Sequence, residues 1–218
     1  MAQSVFLVAP VAVISPVPAA AGYRFAKRAL DVLLTAFGLI AVWPLLAFVA
    51  LLIKLDTRGP VFFVQTRVGK HGQPFGMVKF RSMVVDAESL LAGMPGDRAG
   101  LCFKAKDDPR ITRVGCILRR TSLDELPQLW NVLRGQMSLV GPRPALPAEV
   151  AAYPAVARAR LAALPGITGL WQVSGRADLS FDDMIALDVD YVRHPSLSRD
   201  IAILWRTMRV VVDGRGAY

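Results

Sequence analysis

Two carboxylates, Asp124 and Glu125, stand side by side in the stretch SLDELPQLWNVLRGQMSLVGPRP. Nineteen residues after Asp124, Arg143 is framed by Pro142 and Pro144. An ionised aspartate can attack phosphorus and form an aspartyl-phosphate. A neighbouring carboxylate can hold Mg2+, which bridges phosphate oxygens and offsets charge on a leaving nucleotide. An ordinary structural reading competes. Ser122 and Glu125 fit a capping box, Pro127 suits a first helical turn, and acids at that turn gain from the helix dipole. The two readings are compatible, because a helix-start acid can also be a nucleophile. Asp124 is the better placed for that role, being short enough to sit at the cap with its oxygens held by backbone N–H groups. Glu125 has the longer reach needed for metal or proton transfer.

The surroundings of the pair are basic. Arg110, Arg113, Arg119 and Arg120 precede it, Arg134 and Arg143 follow it, and Lys79 and Arg81 lie upstream. Each alone reads as a solvated or salt-bridged surface residue. Together they can neutralise a diphosphate, since guanidinium matches phosphate oxygens in a two-pronged fashion. Arg176, in the Gly-rich segment SGRAD, adds a further phosphate contact. A carboxylate among arginines at a helix N-terminus is expected to stay ionised at neutral pH.

The whole chain narrows the partners. It has 218 residues, a hydrophobic fraction of 54% and a formal net charge of +9. An apolar and basic chain points to a membrane surface or a phosphate-rich ligand. Nucleic acid is the competing partner for basicity alone, but it gives no reason for a long uncharged segment. Cys102 and Cys116 form no CxxC, and His71 and His194 are the only histidines, so no zinc cluster can be assembled. The cysteines are read as buried free thiols of a reducing compartment.

These residues need elements to position them. Residues 1–22 carry no charge and are broken by Pro10, Pro16 and Pro18, which reads as a flexible apolar arm rather than a signal peptide. Val32 to Ile53 is a run of 22 uncharged residues, long enough for a membrane helix. Pro44 sits within it, and both flanks are basic: Arg24, Lys27 and Arg28 before, Lys54 and Arg58 after. The positive-inside rule therefore gives no asymmetry, and a helix bent at Pro44 that returns to the same leaflet satisfies both flanks. A kinked span is the plainer alternative.

PVFFVQTRVG and MVKFRSMVV, joined by GKHGQPFG, read as a β-hairpin. Residues 86–100 read as a helix running into a loop, and LPQLWNVL, ALPAEVAAYPAVARARLAAL and LSFDDMIALDVDYVRHP as helices. PGITGLWQVSGRADLS reads as a Gly-rich loop. In SRDIAILWRTMRVVVDG, Ile201, Leu204, Trp205, Met208 and Val212 share one helical face, and Arg199, Arg206 and Arg209 another. Such a helix suits a membrane interface or packs on a core with solvated arginines. The fold class is α+β (α/β), mainly helical with a small β-hairpin sheet, a reentrant N-terminal membrane helix and interfacial amphipathic helices.

KFRSM, DDPRIT, RRTSLDELPQLWNVLRGQMSLVGPRP and PGITGLWQVSGR, in this order after a basic-flanked apolar helix, resemble the bacterial sugar transferase family. These are the monotopic phosphoglycosyl transferases, or polyprenyl glycosylphosphotransferases. The resemblance runs from Tyr23 to Tyr218. It implies transfer of sugar-1-phosphate from a UDP-sugar to undecaprenyl phosphate at the cytoplasmic face of the bacterial inner membrane, feeding downstream glycosyltransferases. It implies Mg2+ held by Asp124 and Glu125, a reentrant membrane helix among membrane lipid, and a covalent intermediate on Asp124, with Glu125 as metal-binding or acid–base partner. By motif match, Arg143 and Arg176 bind phosphate, with Lys79, Arg81, Arg110 and Arg119 as weaker carry-overs. The organisation it implies is an arm at 1–22, a reentrant helix at 23–58 and a catalytic domain at 59–218. Where the family often has serine before the break proline, this chain has Trp43; where longer members carry extra spans, it has a short arm. GLWQVSGR and the terminal RGAY resemble exopolysaccharide-type members that transfer hexose phosphates, which favours galactose or glucose. The competing class is a membrane-anchored scaffold that uses the same basic surface for anionic lipid.

Overall fold

The computed structural model describes residues 20–87, 89–91, 108–175 and 179–213. Helix α1 runs unbroken from Ala21 to Asp56, through Pro44. Its interior lacks acidic and basic side chains from Val32 to Ile53, so water offers it nothing. Among the described residues it is the one helix long and apolar enough to cross a membrane. Leu33, Phe37, Ile40, Trp43, Phe48 and Leu51 point outward and exposed. Asp31, Thr35, Val49 and Ile53 form the buried stripe. Their spacing keeps one face of the helix on the rest of the protein.

Both ends of α1 dock on the same body. At the N-terminal end Tyr23 donates to Asp200, Lys27 pairs with Asp200 at 3.3 Å, and the Asp31 carboxylate accepts from the Leu139 N–H. Arg28 donates to the carbonyls of Val132 and Leu133. At the C-terminal end Val49 and Ile53 pack with Phe80 and Leu118, and Asp56 accepts from the Val114 N–H.

Strands β1 (Phe62–Val68) and β2 (Pro74–Phe80) form the expected antiparallel hairpin, with Phe63 opposite Lys79. Helix α2 (Arg113–Arg120) is capped by the Thr112 hydroxyl, which accepts from Gly115 N. A 3-10 turn, Leu123–Glu125, leads into α3 (Gln128–Leu133). Buried Asn131 of α3 accepts from Val78 N and donates to Gly76 O, locking α3 to the hairpin. Phe75, Met77, Val132 and Met137 fill the space between them.

Two three-residue strands, β3 (Ser138–Val140) and β4 (Gly166–Thr168), pair in parallel. The expected helix over ALPAEVAAYPAVARARLAAL is in fact α4 (Pro147–Ala151), α5 (Ala155–Arg158) and a 3-10 turn. Pro154 explains the break, having no N–H to carry the first helix onward. Helix α6 (Phe181–Arg193) lays Met184, Ile185 and Val189 against Val68, Val150 and Leu161.

In α7 (Leu197–Asp213) the face drawn from sequence divides. Ile203 is buried and Leu204 packs beside it on Val140 and Tyr191, whereas Ile201, Trp205 and Met208 are exposed. Arg209 lies over the Trp205 ring, 5.5 Å from its centroid. The helix thus packs on the core through one part of that face and leaves the other part exposed. Cys116 is exposed on α2, which corrects its reading as a buried thiol; Cys102 lies outside the described residues. Of residues 86–100, Ser89–Leu91 form a 3-10 turn.

Candidate active site

Ser122 sets the geometry of the acid pair. It sits in the left-handed region, at φ 57°, which is uncommon for a residue with a Cβ. The chain therefore reverses sharply between the end of α2 and the 3-10 turn that carries Asp124 and Glu125. The capping box does not form. The Ser122 side chain caps nothing, and Glu125 turns away to accept from Lys79 Nζ at 2.7 Å.

Asp124 is buried, 9% exposed, in the angle between α2 and β2. Burial pushes its carboxyl up to about 6. Lys79 and Arg119 pull it back down, and Glu125 adds to the rise. The expectation of ionisation through neighbouring arginines is corrected in its cause: desolvation outweighs the cations. With the carboxyl at about 6, the charged form still dominates at neutral pH. A partly desolvated carboxylate facing two cations is a stronger nucleophile than one in water.

The pair also offers the hard oxygen donors that Mg2+ takes together with substrate phosphates. Among the described residues no cluster of three or more His, Cys, Asp or Glu gathers. The donor set fits Mg2+, with Lys79 competing for Glu125.

Arg143 belongs to a loop clamped at every carbonyl. Pro142 O accepts from Gly166 N, Arg143 O from Arg160 and Pro144 O from Arg67. The clamp needs Gly141, where a Cβ would run into the Leu164 carbonyl and the Gly166 amide. The Arg143 guanidinium, 24% exposed, bonds both oxygens of buried Glu149 at 3.2 and 3.1 Å. Glu149 is itself held by the Leu146 N–H at 2.7 Å.

The remaining basic residues separate. Arg119 ends α2 close enough for its charge to act on Asp124 and Asp108. Arg81 is buried and donates to Arg58 O, Thr57 O and Thr57 Oγ1, closing the corner after α1. Arg110 is buried and forks onto Asp108, at 2.8 and 2.6 Å, and holds Ala87 O. These contacts turn both guanidinium groups inward. Arg176 lies outside the described residues.

The group behind Arg143 is one that sequence reasoning missed. Arg160 and Asp188 pair in the interior, 28 residues apart in sequence, and Arg160 also donates to Tyr153 Oη at 2.7 Å. Burial raises the Asp188 carboxyl to about 6. No local spacing marks such a pair, and each member reads alone as a surface charge.

This geometry stands beside clear likenesses. The family model described as bacterial sugar transferase matches residues 22–214. The undecaprenyl-phosphate galactose phosphotransferase of Salmonella typhimurium is 47% identical over 201 residues, covering 89% of this chain and 42% of the relative. The chain therefore spans less than half the length of that relative. The exopolysaccharide production protein ExoY of Sinorhizobium fredii is 41% identical, and the match covers 88% of each chain. The UDP-glucose:undecaprenyl-phosphate glucose-1-phosphate transferase of Caulobacter vibrioides is 43% identical over 88% of this chain and 72% of its own. With a family match spanning nearly all of α1 through α7, and a relative of almost the same extent, the chain belongs to the bacterial sugar transferase family.

Proposed function

We propose that this chain transfers a hexose-1-phosphate from a UDP-sugar to undecaprenyl phosphate at the cytoplasmic face of the bacterial inner membrane. The observation that carries the reading is Asp124: a buried carboxylate, raised to about 6 and flanked by Lys79 and Arg119, in a chain of this family. An Asp124 oxygen attacks the phosphorus that bears the sugar. The bond from that phosphorus to the oxygen of the uridine-linked phosphate breaks, and UMP leaves with the oxygen. The product is a sugar-phosphate joined to Asp124 as a mixed anhydride. An oxygen of undecaprenyl phosphate then attacks the same phosphorus and releases the Asp124 carboxylate. The lipid product, undecaprenyl-diphosphate-sugar, opens exopolysaccharide or glycoconjugate assembly by downstream glycosyltransferases.

In this reading Arg143 and Arg176 take substrate phosphate oxygens, and Arg119 and Lys79 face the developing charge. Mg2+ on Asp124 and Glu125, when bound, lowers the charge of the diphosphate. Glu125, 38% exposed at its side chain, reaches solvent and can pass a proton there. The names of the relatives, which act on galactose and glucose carriers, support a hexose donor.

Helix α1 is read as reentrant. Support comes from its two ends, which dock on one body through Asp200 and Val132 at the start and Phe80 and Leu118 at the finish. A span would carry one end to the far side of the bilayer, some 30 Å away.

A UDP-sugar panel with undecaprenyl phosphate and Mg2+, scored by UMP release, tests the activity. Omitting the lipid and taking an intact mass tests the intermediate: wild type gains a hexose-phosphate and Asp124→Asn does not. An adduct on Asp124→Asn, or rates that fit only a ternary complex, removes Asp124 as nucleophile. No turnover with any sugar, alongside retained binding to anionic vesicles, favours a lipid-binding scaffold.

A further inference from the structure

We infer that Arg160, with Asp188 as its buried counter-charge, is a positioning residue that holds Arg143 at the substrate phosphate. The inference rests on the phosphate role given to Arg143 above.

The Pro142–Arg143–Pro144 loop has few ways to hold itself. Pro142 and Pro144 carry no N–H, so the loop cannot knit its own carbonyls into a turn. Partners from outside do this instead: Gly166 N on Pro142 O, Arg160 on Arg143 O at 3.1 Å and Arg67 on Pro144 O at 3.0 Å. Of these, Arg160 touches the residue whose side chain does the binding. It is 1% exposed and lines a small cavity with Val68, Pro142, Arg143 and Pro165.

Three partners are served by one flat group. Nη1 reaches Tyr153 Oη at 2.7 Å, and Nη2 reaches both Arg143 O and Asp188. The guanidinium also lies over the Tyr153 ring, 5.6 Å from its centroid. Arg143 is thus fixed twice, at its carbonyl by Arg160 and at its guanidinium by Glu149.

Stability alone does not account for this pair. Taking two charges out of water is costly, and apolar residues of similar volume often do as well or better. Arg160 Nε and Asp188 Oδ1 are buried without a hydrogen-bond partner, which adds to the cost. What the pair supplies is the fixed point at the Arg143 carbonyl, between the holds on Pro142 O and Pro144 O. Lysine keeps the charge but not the fork, so it cannot span Tyr153, Asp188 and the Arg143 carbonyl together.

The test is a thermodynamic cycle on the full chain in detergent, with inorganic pyrophosphate as the probe and calorimetry as the readout. Arg143→Ala, Arg160→Lys and Tyr153→Phe are made singly, and the last two are repeated on the Arg143→Ala background. Arg143→Ala is expected to weaken binding by about tenfold, Arg160→Lys by severalfold and Tyr153→Phe by about twofold. On the Arg143→Ala background the other two changes should add nothing, because residues that act through one another are not additive. A merely structural role predicts losses that persist there. Such persistence, wild-type affinity in both Arg160→Lys and Tyr153→Phe, or indifference to Arg143→Ala, overturns the inference. Should Arg160→Lys fail to fold by thermal melt, Tyr153→Phe keeps the ring in place and decides alone. UMP release by the wild type is read separately, so failure of the transferase reading cannot pass for failure of the cycle.

Discussion

Replacing Asp124 with asparagine should abolish transfer and make the protein more stable. Asp124 has its carboxyl raised from 3.8 to about 6, chiefly by burial. A carboxyl raised on folding contributes stability that is fully present below its unfolded value. That stability is lost as pH rises through the folded value. The window here is pH 4 to 6. At pH 7.5 the ionised side chain costs the fold about 3 kcal/mol relative to its protonated form, and at pH 5 about half of that. Asparagine removes that cost, but its amide brings a desolvation cost of its own, on the order of 1–3 kcal/mol and independent of pH.

The pH-dependent part is therefore the clean quantity. The stability of Asp124→Asn over wild type should grow by on the order of 1–2 kcal/mol between pH 5 and pH 7.5. For a chain of this size that is a change of about 3–6 °C in the difference of melting temperatures. Differential scanning of both proteins in one detergent, at both pH values, measures it. Groups remote from Asp124 are present in both proteins and largely cancel. A gap that stays flat with pH, or narrows as pH rises, refutes the account of Asp124 as a desolvated nucleophile. The same carboxyl sets the acid limb of UMP release, which should fall away below about pH 6.

Arg143→Ala should reduce transfer by about 100-fold and Arg143→Lys should recover little of it, because lysine lacks the planar two-pronged donor; near-normal rates for the lysine variant remove that role. Lys79→Met deletes a cation that pulls the Asp124 carboxyl down, so the acid limb of UMP release should move above pH 6; an unmoved limb takes Lys79 out of the site. Arg24→Cys and Arg58→Cys, which flank the long helix, should both be shielded from an impermeant thiol reagent applied to intact cells; labelling of one and not the other makes α1 a span.

The parts of this fold that were legible in the sequence are those written in local pattern. FFVQTRV and the strand after it carry β-branched and aromatic residues on either side of a Gly-rich turn, and they pair as a hairpin. The uncharged run of α1 and the helices over LSFDDMIALDVDYVRHP and SRDIAILWRTMRVVVDG, observed as α6 and α7, are equally local. The acid pair was singled out by its chemistry and by the resemblance of the stretch around it, not by any local structural pattern. What stayed hidden has a physical cause in each case. Strands β3 and β4 are three residues each, too short for an alternation to register. Ser122 in the left-handed region has no sequence signature, since a glycine or asparagine would have been the expected occupant. It is this residue that turned a capping box into a 3-10 corner and left Glu125 to Lys79.

The basic residues show the harder limit. Charge and spacing made Arg81, Arg110 and Arg143 look alike, yet the fold gives them three different tasks. Arg81 holds the carbonyls that end α1, Arg110 is consumed by Asp108, and Arg143 is presented on a clamped loop. What separates them is long-range partnership, which a linear reading does not contain. The same holds for α1 itself. Its polar residues are not a second chemistry but fittings: Arg28 caps α3, which follows the acid pair, and Asp31 takes the Leu139 N–H in β3, which leads to Arg143. Helix α1 therefore supplies hydrogen-bond partners to the backbone of the segment that joins the acid pair to the Pro142–Pro144 loop. A basic flank read as a topology signal is at the same time part of the frame of the candidate site.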